Sequence, residues 1–383
     1  MTSKQLPTPF FIVYEDRLRA NLELITDVSR RSGAEIIMAF KANALWRTFD
    51  IIKEYCRNCT ASSVNELLLG ADTLGGEIHS YTPAYTDANI DLFIRHSTHI
   101  TFNSLSQLAK YGKKAHAAGV AVGLRVNPRC SVIETDLYNP ALPGSRFGVG
   151  KEDLAAGLPP FVDGLHFHAL CESTSYDLEK VLQAFERDFG HLLPVLKWVN
   201  MGGGHLMTRK GYDTDHLVNL INDFRRRYPN LKVILEPGSA FTWQTGDLVS
   251  SVVDVVVDRG IPTAILDVSF ACHMPDTLEM PYLPVVAESY DPSEGANTDG
   301  EPLRAWRLGG NSCLSGDFKG DYFFKEPLTP GCRITLRDMN HYTTVKTTMF
   351  NGVHHPDIVL QRLNGECEYL RKFNYDDYKN RMS

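Results

Sequence analysis

Residues 198–205 read Trp-Val-Asn-Met-Gly-Gly-Gly-His: a short β-rich run that stops in three consecutive glycines. The segment before it places Leu178, Val181, Leu182 and Phe185 at helical spacing, so the run follows an amphipathic helix. Outward from this point the same alternation recurs. Candidate strands fall at residues 36–40, 60–62, 77–81, 99–102, 121–126, 164–168, 198–201 and 233–236. Eight strands alternating with helices over about 200 residues form the pattern of a TIM-type (β/α)8 barrel within the α/β class. A doubly wound open sheet is the alternative, but no G-x-G-x-x-G follows the first strand.

Beyond Phe241 the pattern changes. Residues 250–258, 263–268, 305–308, 333–336 and 358–362 read as strands separated by turns such as Pro330-Gly331, with helical periodicity only briefly near the end. A barrel is therefore expected over 14–243. A C-terminal all-β domain, a β-sandwich or barrel-like, is expected over 244–383, joined by an N-terminal strand at 8–13. Residues 284–302 are polar and rich in Gly, Pro, Asn and Asp, as a mobile loop would be.

The chain has 383 residues, 43% hydrophobic and 22% charged, which excludes a disordered protein or a coiled coil. No apolar run reaches the ~18 residues of a membrane span. A net charge of −7 without a basic run argues against nucleic-acid binding. The eight cysteines are scattered and no secretion signal is read, so reduced thiols and a cytoplasmic location are expected. Cys56 and Cys59 form a C-x-x-C with no second pair, and no metal is expected.

Barrels carry their chemistry at the C-terminal ends of the strands. Those ends hold Lys41, Arg125, His168, the glycines 202–204 and Glu236. Each has an ordinary structural reading: a solvated lysine, a core histidine, a turn. Together they suit pyridoxal 5′-phosphate, which needs a lysine amine, a backbone nest for its phosphate and a carboxylate at its ring nitrogen. That carboxylate makes the ring an electron sink, as loss of an α-carboxylate requires. A flat imidazole could stack on the ring. The H-x-H of His166 and His168 also allows a metal-dependent hydrolase, but no later strand end supplies further histidines. An alanine racemase would place a cation, not Glu236, at the ring nitrogen.

The segments AFKAN (39–43), HFHALCE (166–172), NMGGGH (200–205), LEPG (235–238), SCLSGD (312–317) and HYTTVKTTMFNG (341–352) resemble those of the fold-type III pyridoxal-phosphate decarboxylases, with an alanine-racemase-like barrel and a β domain. AFTWQTGDL (240–248), AILDVSFACHMPD (264–276) and MNHYTTVKTTMFNG (339–352) are similar to the carboxynorspermidine/carboxyspermidine decarboxylase branch. The resemblance implies Lys41 as the Schiff-base lysine, His168 against the ring, Gly203, Gly204 and Tyr342 at the phosphate, and Glu236 at the ring nitrogen. It implies that Cys313 enters the site from the neighbouring subunit of a homodimer and protonates the product. Asp276, Asp317 and Ser239 are implied as substrate contacts. Ser239 replaces the arginine, and Leu314 the acidic residue, of ornithine decarboxylases. The implied substrate is a small-molecule polyamine precursor, carboxynorspermidine or carboxyspermidine, giving norspermidine or spermidine. Diaminopimelate, ornithine and arginine are the alternatives. Arg146, in a rim loop, is a candidate for the substrate carboxylate.

Overall fold

The computed structural model describes residues 2–280, 282–291, 293, 300 and 303–383, so residues 292, 294–299, 301 and 302 of the expected loop lie outside the described residues. The chain divides into two compact units, Arg19–Phe241 and Met1–Leu18 with Thr242–Ser383.

The first unit is the expected barrel. Its strands, all paired in parallel, are Glu35–Ile36, Met38–Ala39, Cys59–Ala61, Ile78–Tyr81, His99–Phe102, Ala121–Arg125, Gly164–His166, Trp198–Asn200 and Lys232–Leu235. The expected first strand appears as two pieces, and these are the two ends of the ordered sheet. Glu35–Ile36 pairs with the last strand, and Met38–Ala39 pairs with Cys59–Ala61. Ile37 lies at the change of partner: its N–H donates to the Leu235 carbonyl at 2.9 Å, while Met38 N–H donates to Asn58 at 3.1 Å. One run of five residues thus closes the barrel.

Two glycines set the packing inside the barrel. A Cβ on Gly123 or Gly164 would lie 2.3 Å or 2.1 Å from the Trp198 indole. The indole, 3% exposed, fills the space those side chains would take and packs with Ile37 and Ile234. At the C-terminal ends of the strands, loops hand over to helices through capped starts. Ser63, Ser104 and Thr174 accept the amides of Glu66, Gln107 and Asp177 and open the helices Val64–Thr73, Leu105–Ala117 and Ser175–Phe189.

The second unit is a mixed sheet of eight strands. Its order is Phe318–Phe324, Arg304–Gly309, Ile261–Leu266, Gly246–Asp258, Phe10–Tyr14, Asp357–Gln361 and Cys367–Arg371, with Arg333–Leu336 also paired to Gly246–Asp258. The N-terminal run Phe10–Tyr14 lies inside this sheet, antiparallel to Gly246–Asp258 and parallel to Asp357–Gln361. Its alternation explains the placement. Phe11 joins the core of Leu248, Leu266, Leu308 and Ile334, whereas Phe10 and Ile12 join Leu6, Val249 and Val359 on the opposite face. The far half of Gly246–Asp258 is exposed, with Asp254 and Asp258 in water.

Candidate active site

Strand ends bring Lys41, Arg125, His166, His168, Asn200 and Glu236 to one rim. Lys41 follows Met38–Ala39. Its side chain keeps solvent access, yet the surrounding protein lowers its pKa, opposed by the charge of Glu236 and assisted by Arg125. A lysine in this setting offers a larger fraction of neutral amine than one in free solution.

Glu236, 8% exposed, follows Lys232–Leu235. Burial alone would raise its pKa. The His166 imidazole, with Nε2 2.9 Å from Oε1, the nearby Lys41 and the Asn200 Nδ2 donor, 3.2 Å from Oε2, overcome this and draw it down to about 2. The carboxylate is ionised at neutral pH, hydrogen-bonded by Asn200 at Oε2 and in contact with the His166 ring at Oε1. Pro237 and Gly238 then turn the chain against strand one: a Cβ on Gly238 would lie 2.5 Å from the Ala42 Cβ. The lysine and the carboxylate are neighbours because these two strand ends pack without a side chain between them.

His168 is neutral. Burial pushes its pKa well below the usual imidazole value, and the charges of Lys41 and Arg125 add to this. Its Nδ1 accepts the Gly203 amide at 2.8 Å, so the proton of the neutral ring resides on Nε2. Its carbonyl is held by the Arg125 guanidinium at 3.2 Å. Arg125 is itself packed over the rings of Tyr81 and Phe147, at 4.7 Å and 4.5 Å. The H-x-H pair is therefore divided: His166 faces Glu236, and His168 faces the glycine turn.

The triple glycine differs from an open row of amides. Gly202 N–H donates to Asn200 Oδ1 at 2.8 Å, and Gly203 N–H donates to His168. Among the described residues only the Gly204 amide of the three has no recorded acceptor. Close approach requires the glycines instead. Gly204, at φ +85°, would place a Cβ 2.3 Å from the Leu170 carbonyl, and a Cβ on Gly203 would lie 2.7 Å from the carbonyl of Glu236. Gly203 thus orients His168, and Gly204 keeps its amide available to a ligand. Ser239 opens the helical turn Ser239–Thr242 beside this rim, and Arg146 packs over Phe147 at 4.3 Å.

In the second unit, Cys313 is exposed, and its N–H donates to Asn351 Oδ1 at 2.8 Å. Asp317, 4% exposed, turns its carboxylate into its own loop. It accepts the Ala271 amide at 3.0 Å, the Ser312 amide at 3.1 Å and the Ser312 hydroxyl at 2.6 Å. It shapes the loop that carries Cys313 rather than presenting a free charge to a substrate. Asp276 and Glu279 both pair with Lys346. Tyr342 adopts a left-handed backbone, φ 53°, uncommon for a bulky residue.

No protein-family model matches the chain. It is 45% identical over 377 residues to carboxyaminopropylagmatine decarboxylase of Synechocystis, covering 98% of this chain and 96% of that protein. It is 40% identical to carboxynorspermidine/carboxyspermidine decarboxylase of Campylobacter jejuni, covering 99% of each. The chain belongs to the carboxynorspermidine/carboxyspermidine decarboxylase family. The crystal structure of the Campylobacter jejuni carboxynorspermidine decarboxylase with norspermidine superposes with a TM-score of 0.89 at 39% identity, covering 98% of this chain and all of that one.

Arg125, His166 and Asn200 anchor the decarboxylase rim. Arg125 and His166 are visible in the sequence as strand-end residues but not in these tasks, and Asn200 is not marked as functional at all. The asparagine that precedes the glycines by two residues was the available signal.

Proposed function

We propose that the enzyme removes the α-carboxylate of carboxynorspermidine or carboxyspermidine as CO2, yielding norspermidine or spermidine. Pyridoxal 5′-phosphate fits the rim. Lys41 would hold it through its amine, Glu236 would face the ring nitrogen, His168 would lie against the ring, and Gly204 with Tyr342 would serve the phosphate. When bound, this cofactor supplies the electron sink for the pair left on Cα as CO2 departs. The observation that carries the reading is the ionised Glu236 beside Lys41, held by Asn200 and lying against His166, since a fixed carboxylate keeps a facing ring nitrogen protonated. His168, locked as the Nε2–H tautomer, offers a flat neutral face without adding charge. The Lys41 amine, its proton loosened by the surrounding protein, is the group able to accept and return one at the reacting amine. Borohydride reduction and peptide mapping should place a pyridoxyl group on Lys41.

The resemblance adds a homodimer in which Cys313 of one copy protonates the product at the other copy's rim. Mixed Lys41→Ala and Cys313→Ala subunits should then recover about a quarter of the activity. No recovery after proven subunit exchange would confine each site to one chain.

The name of the Synechocystis relative favours a second substrate, carboxyaminopropylagmatine, whose tail ends in a guanidinium instead of an amine. Either tail is cationic and would compete with Lys346 for Asp276 and Glu279. The deciding experiment incubates purified holoenzyme with carboxynorspermidine, carboxyspermidine, carboxyaminopropylagmatine, ornithine, arginine, lysine and diaminopimelate, and identifies the amine by mass spectrometry. Norspermidine or spermidine formation is expected. Turnover of the amino acids alone would leave a decarboxylase of another branch.

A further inference from the structure

A second group of chemistry-bearing side chains stands at the N-terminal ends of the barrel strands, away from the rim. Glu77 immediately precedes Ile78–Tyr81, His79 is the second residue of that strand, and His99 opens His99–Phe102. His79 and His99 are partners in the parallel register, and their rings stack with centroids 3.9 Å apart. His79 is 4% exposed, and its Nε2 has no hydrogen-bond partner. The Glu77 carboxylate stands 3.8 Å from that nitrogen, too far for a hydrogen bond. One carboxylate oxygen of Glu77 and one nitrogen of each ring lie within 4.8 Å of one another. A buried ring nitrogen of this kind needs a partner.

We infer that Glu77, His79 and His99 form a binding site for a divalent transition-metal cation of the zinc class. Two imidazoles and a carboxylate are a borderline donor set that suits such an ion, with water as the fourth ligand. Metal–ligand bonds of about 2.0–2.2 Å put tetrahedral ligands about 3.4 Å apart, so the three groups must close by roughly 1 Å. The Glu77 side chain, 44% exposed, provides the entry, and the two stacked rings tilt apart so that both nitrogens point at the ion. The ion would tie two adjacent strands together at the end opposite the chemistry, where barrels carry stability rather than catalysis. One resident cation competes: Lys232 Nζ lies 3.6 Å from the same Glu77 oxygen. It lies closer to Glu35, at 2.8 Å, and keeps that partner when the ion enters. No short sequence motif announces the site, because its ligands come from two strands about 20 residues apart.

The test is zinc binding by chelator-stripped holoenzyme, read as retained metal after gel filtration and as affinity against a chromophoric chelator, with Co2+ absorption reporting tetrahedral nitrogen ligation. Wild type should retain one equivalent at micromolar free zinc. Glu77→Gln and His99→Gln should each weaken binding at least about tenfold while keeping the wild-type circular dichroism. Glu77→Gln alters a half-exposed side chain, so it reports even if His99→Gln does not fold. Lys232→Met should tighten binding several-fold by removing the competing ammonium. Less than one equivalent in wild type, or an affinity indifferent to Glu77→Gln, would overturn the site. So would an affinity unchanged by Lys232→Met.

Discussion

The two ends of the barrel carry similar residue types in opposite states of completion. At the rim, Glu236 has a donor on one oxygen and an imidazole against the other, and His168 has its Nδ1 filled by a backbone amide. At the floor, Glu77 lies 3.6 Å from the Lys232 ammonium and 3.8 Å from the His79 ring, and the buried His79 nitrogen has no partner. Between them Trp198 occupies the space left by Gly123 and Gly164. The difference teaches that burial alone does not define a site's task. The rim carboxylate is fixed in charge and direction before anything binds, whereas a loosely spaced set leaves room for an occupant.

The largest effect expected from this contrast is at Glu236. Glu236→Gln keeps the shape and removes the charge, and turnover should fall by about 10²–10³-fold, as when a transition-state electrostatic partner is lost. Near-normal kcat would remove the electron-sink argument. Next is the layer between the ends. Gly164→Ala drives a methyl into the Trp198 indole and should cost about 1–3 kcal/mol by overpacking. Thermal unfolding should show a lower Tm, and an unchanged Tm would mean the indole moves freely.

A third test concerns pH. The pKa of Glu236 is depressed in the folded chain to about 2, below its ordinary value of 4.5. Its contribution to stability is therefore present above pH 4.5 and is lost as pH falls from 4.5 towards 2. Acid unfolding of Glu236→Gln should be less steep over that interval, and an identical acid limb would place the sensitivity elsewhere. The smallest effect is expected at Asn200→Ala, which removes the hydrogen bond to Oε2. The Glu236 pKa should rise but stay below neutrality, so the acidic limb of the pH–rate profile should move up while the plateau falls modestly.

Much of this architecture was legible in the chain because period-two and helical spacing are local properties. Residues 99–102 and 333–336 match observed strands end to end. Phe318–Phe324 was passed over because Gly320-Asp321 reads as a turn. Cys367–Arg371 was missed because charged residues dilute its alternation. The rim residues were legible as strand ends, but their couplings were not. Asn200 and Glu236 are 36 residues apart, and only closure of the barrel brings them together. The Gly203 amide was expected to face an anion, and it faces His168, because no sequence pattern specifies which way an N–H points. The inward turn of Asp317 was hidden for the same reason: its acceptors are filled by backbone amides.

The placement of Phe10–Tyr14 inside the sheet has a consequence for biosynthesis. This strand leaves the ribosome before its neighbours Gly246–Asp258 and Asp357–Gln361, which are translated more than two hundred residues later. At about 5–20 residues per second the sticky segment Phe-Phe-Ile-Val-Tyr waits roughly ten to fifty seconds for its first partner, while the barrel folds behind it. The nascent protein carries both edges of that segment unprotected through this interval, and there a chaperone has its strongest claim on the chain.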